Sequence, residues 1–204
     1  MIPKETTNRV FLVLLIFCLS FISTSKLSVM SNQATVPINI TVQGKLILTD
    51  AENDNKSGEN PTLNINLKLT PDFNQSIVSG SSAIRIRTNL NSWKLTAQRA
   101  NSQPQNVIID PEDIALSFTT QTGNKANPNA GKLLSPFNQI TNLSKISTNE
   151  PSDVLIGSSK TSMEKDPENK NNWFQVTTNY SVSPDFLYEV GEWGTTVSYS
   201  LVSP

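Results

Sequence analysis

Phe174-Gln-Val-Thr-Thr-Asn-Tyr-Ser-Val182, then Ser183-Pro184-Asp185, then Trp193-Gly-Thr-Thr-Val-Ser-Tyr-Ser-Leu201: this stretch decides the fold. Phe174, Val176, Thr178, Tyr180 and Val182 fall on alternate positions, and so do Trp193, Thr195, Val197, Tyr199 and Leu201. Successive side chains of an extended strand point to opposite faces, so period two marks a strand with one face buried. Ser-Pro-Asp between the runs supplies a turn, because Pro fixes φ and Asp bonds its local backbone.

The same period recurs upstream. Ile38, Ile40, Val42, Leu46 and Leu48 share one face against Asn39, Thr41, Gln43, Lys45 and Ile47, with Gly44 in the apolar phase as a bulge or close approach. Leu63, Ile65, Leu67 and Leu69 alternate with Asn64, Asn66 and Lys68, and Ile84 and Ile86 alternate with Arg85 and Arg87. Asn89-Leu-Asn-Ser92 predicts a turn into a strand carrying Trp93, Leu95 and Ala97. Ile114, Leu116 and Phe118 predict another strand after Asp110-Pro-Glu112; residues 119–136 read as a long polar loop, and Val154-Leu155-Ile156 as a short strand. No segment has a sustained 3.6 period or a βαβ rhythm. The expected class is all-β, an antiparallel Ig-like or jelly-roll-type β-sandwich.

The N-terminus reads as an export signal. Lys4 and Arg9 precede an apolar run from Val10 to Ile22, the length of a signal core and short for a span of about 20 residues. Small residues follow, so cleavage is expected between Ser25 and Ala34, giving a signal peptide over 1–34 and one domain over 35–204. An uncleaved run would instead hold the chain on a membrane. Cys18, the only cysteine, follows Phe17 rather than a small residue, which argues against a lipid anchor. The mature chain would then lack Cys and, like the whole chain, His. That removes disulfides and the usual residues of nucleophilic catalysis, zinc binding and proton shuttling near neutral pH. Net charge is −1 with no basic run, which disfavours nucleic acid and anionic lipid as partners.

No residue stands out as catalytic, and no cofactor or metal is expected. Asp50, Glu52, Asp54 and Glu59 carry oxygen ligands suited to calcium, but Asn55 takes the place of the EF-hand glycine, and the bland reading is a solvated hairpin loop. Glu112 and Asp113, or Asp185, Glu189 and Glu192, have the groups of a glycosidase without a fixed separation, and turn placement explains them as well. Ser162 and Lys165 match Ser-x-x-Lys spacing in a loop context. Trp93 and Tyr199 share a phase with apolar neighbours and read as core. Trp173, on the face opposite Phe174, is the candidate for an exposed contact such as sugar stacking.

Two places resemble the WxL family of bacterial surface proteins, whose β-rich C-terminal domain attaches non-covalently to the cell wall. Asn91-Ser-Trp93-Lys-Leu95-Thr96 resembles the first Trp-x-Leu element, and Gly194 through Tyr199, Leu201 and Pro204 resembles the second. Tyr199 stands where the second Trp is expected, and Pro204 comes one place early. The resemblance implies a non-enzymatic wall-associated module with Trp93, Leu95, Trp193, Tyr199 and Leu201 as signature or core positions. Its implied partners are cell-wall polysaccharide, peptidoglycan or other surface proteins. The ending from Gly191-Glu-Trp193 and the stretch Asn39-Ile-Thr-Val42 also look like chaperone–usher-type pilin subunits, which polymerise by strand addition. There Ala34 to Leu48 would be the donated strand; otherwise it is the first strand of a self-contained sandwich.

Overall fold

Period two builds nine strands among the residues that the computed structural model describes, which are 40–52, 65–71, 74, 76–102 and 109–204. The export segment with Cys18, and the acidic loop beyond Glu52, lie outside the described residues. The strands are β1 (Leu46–Asp50), β2 (Val78–Thr88), β3 (Trp93–Arg99), β4 (Ile114–Thr122), β5 (Gly131–Leu133), β6 (Thr141–Asn142), β7 (Ser152–Gly157), β8 (Phe174–Val182) and β9 (Val197–Val202). They form two antiparallel sheets, ordered β1-β2-β8-β4-β6 and β5-β7-β3-β9. The protein is an all-β antiparallel sandwich.

The inward residues of each strand are its apolar alternates. Ile84, Ile86, Leu116, Phe118, Phe174 and Val176 from one sheet meet Trp93, Leu95, Ala97 and Leu155 from the other in a single buried cluster. Each fully buried aliphatic or Phe side chain contributes about 1.5–3 kcal/mol of transfer free energy. Trp93 is fully buried and sets its ring edge-on to Phe174, centroids 6.1 Å apart, joining the sheets. Its cross-strand partner on β7 is Gly157, and a Cβ there would lie 1.9 Å from the indole Cε2. The indole thus occupies the space a side chain at 157 would fill.

β2 and β3 are consecutive but lie in different sheets, so Asn89 to Ser92 is a crossover rather than a hairpin turn. Residues 183–196 likewise carry the chain from β8 to β9 across the sandwich. A tyrosine chain bridges the layers. Tyr199 on β9 shares a hydrogen bond with the Thr178 hydroxyl on β8 (3.0 Å), and its hydroxyl lies 3.3 Å from that of Tyr180.

Several strand expectations are corrected. The first strand starts at Leu46, leaving Ile40 and Val42 exposed, because β2 ends at Thr88 opposite Leu46 and gives no backbone to pair further upstream. Instead, the Asn89 amide accepts from the Lys45 N–H and donates to the Gln43 carbonyl. Gly44 is a close approach as expected, since a Cβ there would meet Leu90 at 2.6 Å. Residues 65–70 keep alternating burial, with Leu67 and Leu69 against the core, yet join no ladder; Leu63 lies outside the described residues. Within 119–136, β4 continues to Thr122 and β5 forms an edge strand. The final strand begins at Val197 rather than Trp193, although alternating burial runs from 193.

The faint strand at Val154 is an inner strand of its sheet. Its register against β3 shifts between Leu95↔Leu155 and Thr96↔Asp153, which makes Val154 the extra residue of a bulge. Val154 and Leu155 are therefore both buried, and the bulge breaks the alternation that would have marked the strand.

Candidate functional site

At the end of the sandwich where β1 begins and β2 finishes, the β7–β8 loop (residues 158–173) folds back over the outer face of the sheet. Two threonines latch it. The Thr161 N–H donates to the Thr88 carbonyl (3.0 Å), and the Thr88 N–H donates to the Thr161 hydroxyl (3.0 Å). The Thr88 hydroxyl in turn donates to the Lys45 carbonyl, so β1, β2 and the loop meet at one buried point. Arg87, on the outward phase of β2, donates from Nε to the Asn169 carbonyl and the Asn172 side-chain oxygen. Asn169 holds φ at 54°, a left-handed conformation that Asn tolerates better than most residues.

Between loop and sheet lies a cavity of about 540 Å³. Ile47, Thr49 and the aliphatic stems of lysines line it, with Asn89, Asn169 and Asn172 supplying amides. Among the described residues, Lys45, Arg87, Lys160 and Lys170 line it together with the carboxylate of Glu168, which is ion-paired with Lys170 at 2.7 Å. The cavity presents apolar contact with a positive rim and hydrogen-bonding amides.

The opposite end of the sandwich has the reverse character. After β8, the crossover exposes Phe186, Leu187 and Val190, the last two at 86% and 105% of full exposure. Tyr188 anchors this loop by donating its hydroxyl to Asp113 at 3.1 Å. Burial, together with that hydrogen bond and the negative charges of Asp113, Asp185 and Asp110, pushes the Tyr188 hydroxyl up to about 12. Neither 109–113 nor 183–196 contains a Lys or Arg. The carboxylates singled out from sequence, Glu112, Asp113, Asp185, Glu189 and Glu192, thus fall on two neighbouring turns at one end.

The other sequence candidates are placed as follows. Trp93 and Leu95 are fully buried, while Trp193, Tyr199 and Leu201 are half-buried against the same core. Trp173 is half-exposed on the outer face, but the Arg85 guanidinium sits 4.2 Å over its ring and its indole N–H donates to the Lys170 carbonyl. One ring face is therefore taken by a cation–π contact. The Ser162 hydroxyl donates to the Glu164 carbonyl, a local turn bond that leaves Ser-Lys chemistry unassembled there. Asp50 accepts from the Glu52 N–H. Among the described residues, no group of three or more His, Cys, Asp or Glu stands together to hold a metal ion.

No family model and no curated protein matches the chain. Function is therefore argued from chemistry alone. Sequence reasoning missed Lys45, Arg87 and Lys160, which come from three separate segments. It also missed the apolar Phe186-Leu187-x-x-Val190, whose signal was a hydrophobic cluster inside a turn-bounded segment with no strand period.

Proposed function

We propose that this chain is a secreted, non-enzymatic β-sandwich that sits on a bacterial cell surface and works by contact, as a structural, adhesive or wall-associated module. One observation supports this most. An apolar export-type run precedes a chain with no histidine, whose one cysteine lies in that run. Such a chain lacks the side chains most used for catalysis at neutral pH and keeps broad surfaces of amides, hydroxyls and lysines. Its partners on this reading are cell-wall polysaccharide, peptidoglycan or other surface proteins. The resemblance of Asn91–Thr96 and of the last eleven residues to Trp-x-Leu elements points the same way.

N-terminal sequencing of the protein recovered from fractionated cells tests this directly. The expected start is Thr35, in material that sediments with cell wall. An intact N-terminus on protein found only in the cytoplasm overturns the proposal.

A second reading, polymerisation by strand addition, draws support from Ile40 and Val42. They continue the alternating apolar phase of β1 yet are exposed, at 83% and 79%. Deleting residues 35–42 would then leave a folded protein that no longer polymerises; unchanged polymer would exclude it.

A further inference from the structure

The two ends of the sandwich are opposites in charge and alike in apolar content. Leu187 and Val190 project from one end, amid Asp110, Asp113, Glu189 and Glu192, with no cation in either turn. The described lining of the cavity at the other end includes Ile47, Lys45, Lys160 and Lys170, the last paired with Glu168. β2 spans the distance between them, from Val78, whose partner Val182 leads into the apolar loop, to Thr88 at the cavity. Ten steps at about 3.4 Å put the two features about 34 Å apart, at opposite ends of one strand. They cannot meet within one molecule.

We infer that the 183–192 loop of one copy docks into the cationic cavity under the β7–β8 loop of a second copy, head to tail. Interfaces favour this pattern, an apolar centre with a rim of opposite charge, because the centre supplies burial and the rim sets orientation. The receiving wall is already shaped, since Thr88, Thr161 and Arg87 fix the loop to the sheet edge. The presenting loop is fixed by Tyr188 to Asp113 and by the Leu187 N–H donating to Asp185. Little ordering entropy is then lost on docking. A contact between two different patches leaves each copy with one patch unused, so it propagates as an open chain unless its rotation closes a ring. This goes beyond a wall-associated role and does not depend on it.

Sedimentation velocity on the full-length protein tests the inference. The expected result is association that rises with protein concentration and weakens from about 0.01 M to about 1 M salt, as the screening length falls from roughly 30 Å to roughly 3 Å. Two charge-reversed variants are then made, one in the cavity (Lys45→Glu with Lys160→Glu) and one in the loop (Glu189→Lys with Glu192→Lys). Each alone should associate about tenfold more weakly or worse, since its two patches now repel. A one-to-one mixture should restore association, because the reversed cavity of one variant matches the reversed loop of the other, and their two native patches match each other. Leu187→Ser, at an exposed position, should abolish association while leaving the far-UV circular dichroism unchanged. Three outcomes overturn the inference: a monomer at every concentration, association that survives Leu187→Ser, or reversed variants that fail to rescue each other. The second would assign self-association to another surface, such as the N-terminal apolar run or an open sheet edge.

Discussion

Gly157→Ala should be among the most damaging single-methyl changes in this protein. Gly157 lies on an inner strand with an ordinary backbone conformation, so Ala fits its φ without strain. In isolation such a change stabilises by about 0.4–1 kcal/mol, through lower entropy of the unfolded chain. Here the new Cβ would fall 1.9, 2.2 and 2.3 Å from Cε2, Cδ2 and Nε1 of Trp93. The indole has no easy retreat. It is fully buried, stands edge-on to Phe174, and donates its N–H to the Ser159 carbonyl at 2.8 Å. The ring also reaches Gly131, the partner of Gly157 on β5, where a Cβ would lie 3.1 Å from Cη2. Overpacking a rigid core costs about 1–3 kcal/mol, and complete loss of an aromatic seat about 3–5 kcal/mol. Gly157→Ala therefore falls at about 3 kcal/mol or above.

Urea denaturation followed by far-UV circular dichroism measures that loss, with a double-mutant cycle against Trp93→Leu. Leucine removes the ring atoms that the methyl strikes. In the Trp93→Leu background the alanine should cost less than about 1 kcal/mol, giving a coupling of roughly 2 kcal/mol or more between the two sites. A cost below about 1 kcal/mol in the native background would mean that the indole moves aside freely. An equal cost in both backgrounds refutes the reasoning, since it would place the damage in the strand rather than under the indole.

Tyr199→Phe should cost about 0.5–1.5 kcal/mol by removing the link to Thr178 and Tyr180, and Tyr199→Ala about 3–5 kcal/mol, read from the same denaturation curves. Thr161→Val strips the acceptor from the buried Thr88 N–H and should cost about 1–3 kcal/mol, with faster proteolysis confined to the β7–β8 loop. All three tyrosines have hydroxyls raised above 10.0, Tyr180 and Tyr199 chiefly by burial and Tyr188 to about 12. The unfolded chain loses these protons first, so their contribution is complete below pH 10 and falls as pH rises beyond it, through about pH 12 for Tyr188. Ultraviolet titration should show tyrosinate forming late and together with unfolding; a simple midpoint near 10 in the folded protein would contradict the burial of these rings.

The parts of the fold legible in the sequence are those where one residue faces one partner. β8 pairs on both sides without interruption, from Phe174 to Val182, and its period is intact from end to end. β7 was faint because Val154 is a bulge residue, which turns two consecutive apolar side chains inward. Which sheet each strand joins was not legible. Asn89-Leu-Asn-Ser92 has the chemistry of a hairpin turn, and only packing against the second layer makes it a crossover. The cavity was hidden for a related reason. Lys45, Arg87 and Lys160 are distant in sequence and converge because β1 pairs β2 while Thr161 binds Thr88. Trp173 was legible as an outward aromatic, but the Arg85 over its ring depends on cross-strand geometry that no spacing reveals.

Three of the polar links that hold this sandwich together are neutral. Thr88 meets Thr161, Trp93 meets Ser159, and Thr178 meets Tyr199, each joining elements far apart in sequence. Threonine and indole do not titrate at biological pH, and tyrosine does so only above about 10. With no histidine, the amino terminus is the one group type left whose ordinary value falls between about pH 5 and 8. Carboxylates stand on the 109–113 and 183–192 turns at one end, and lysines line the cavity at the other. A head-to-tail contact between the carboxylates of one end and the lysines of the other would weaken as salt rises. If copies join in this way, ionic strength is the variable that tunes their contact, while the fold that presents both surfaces stays fixed.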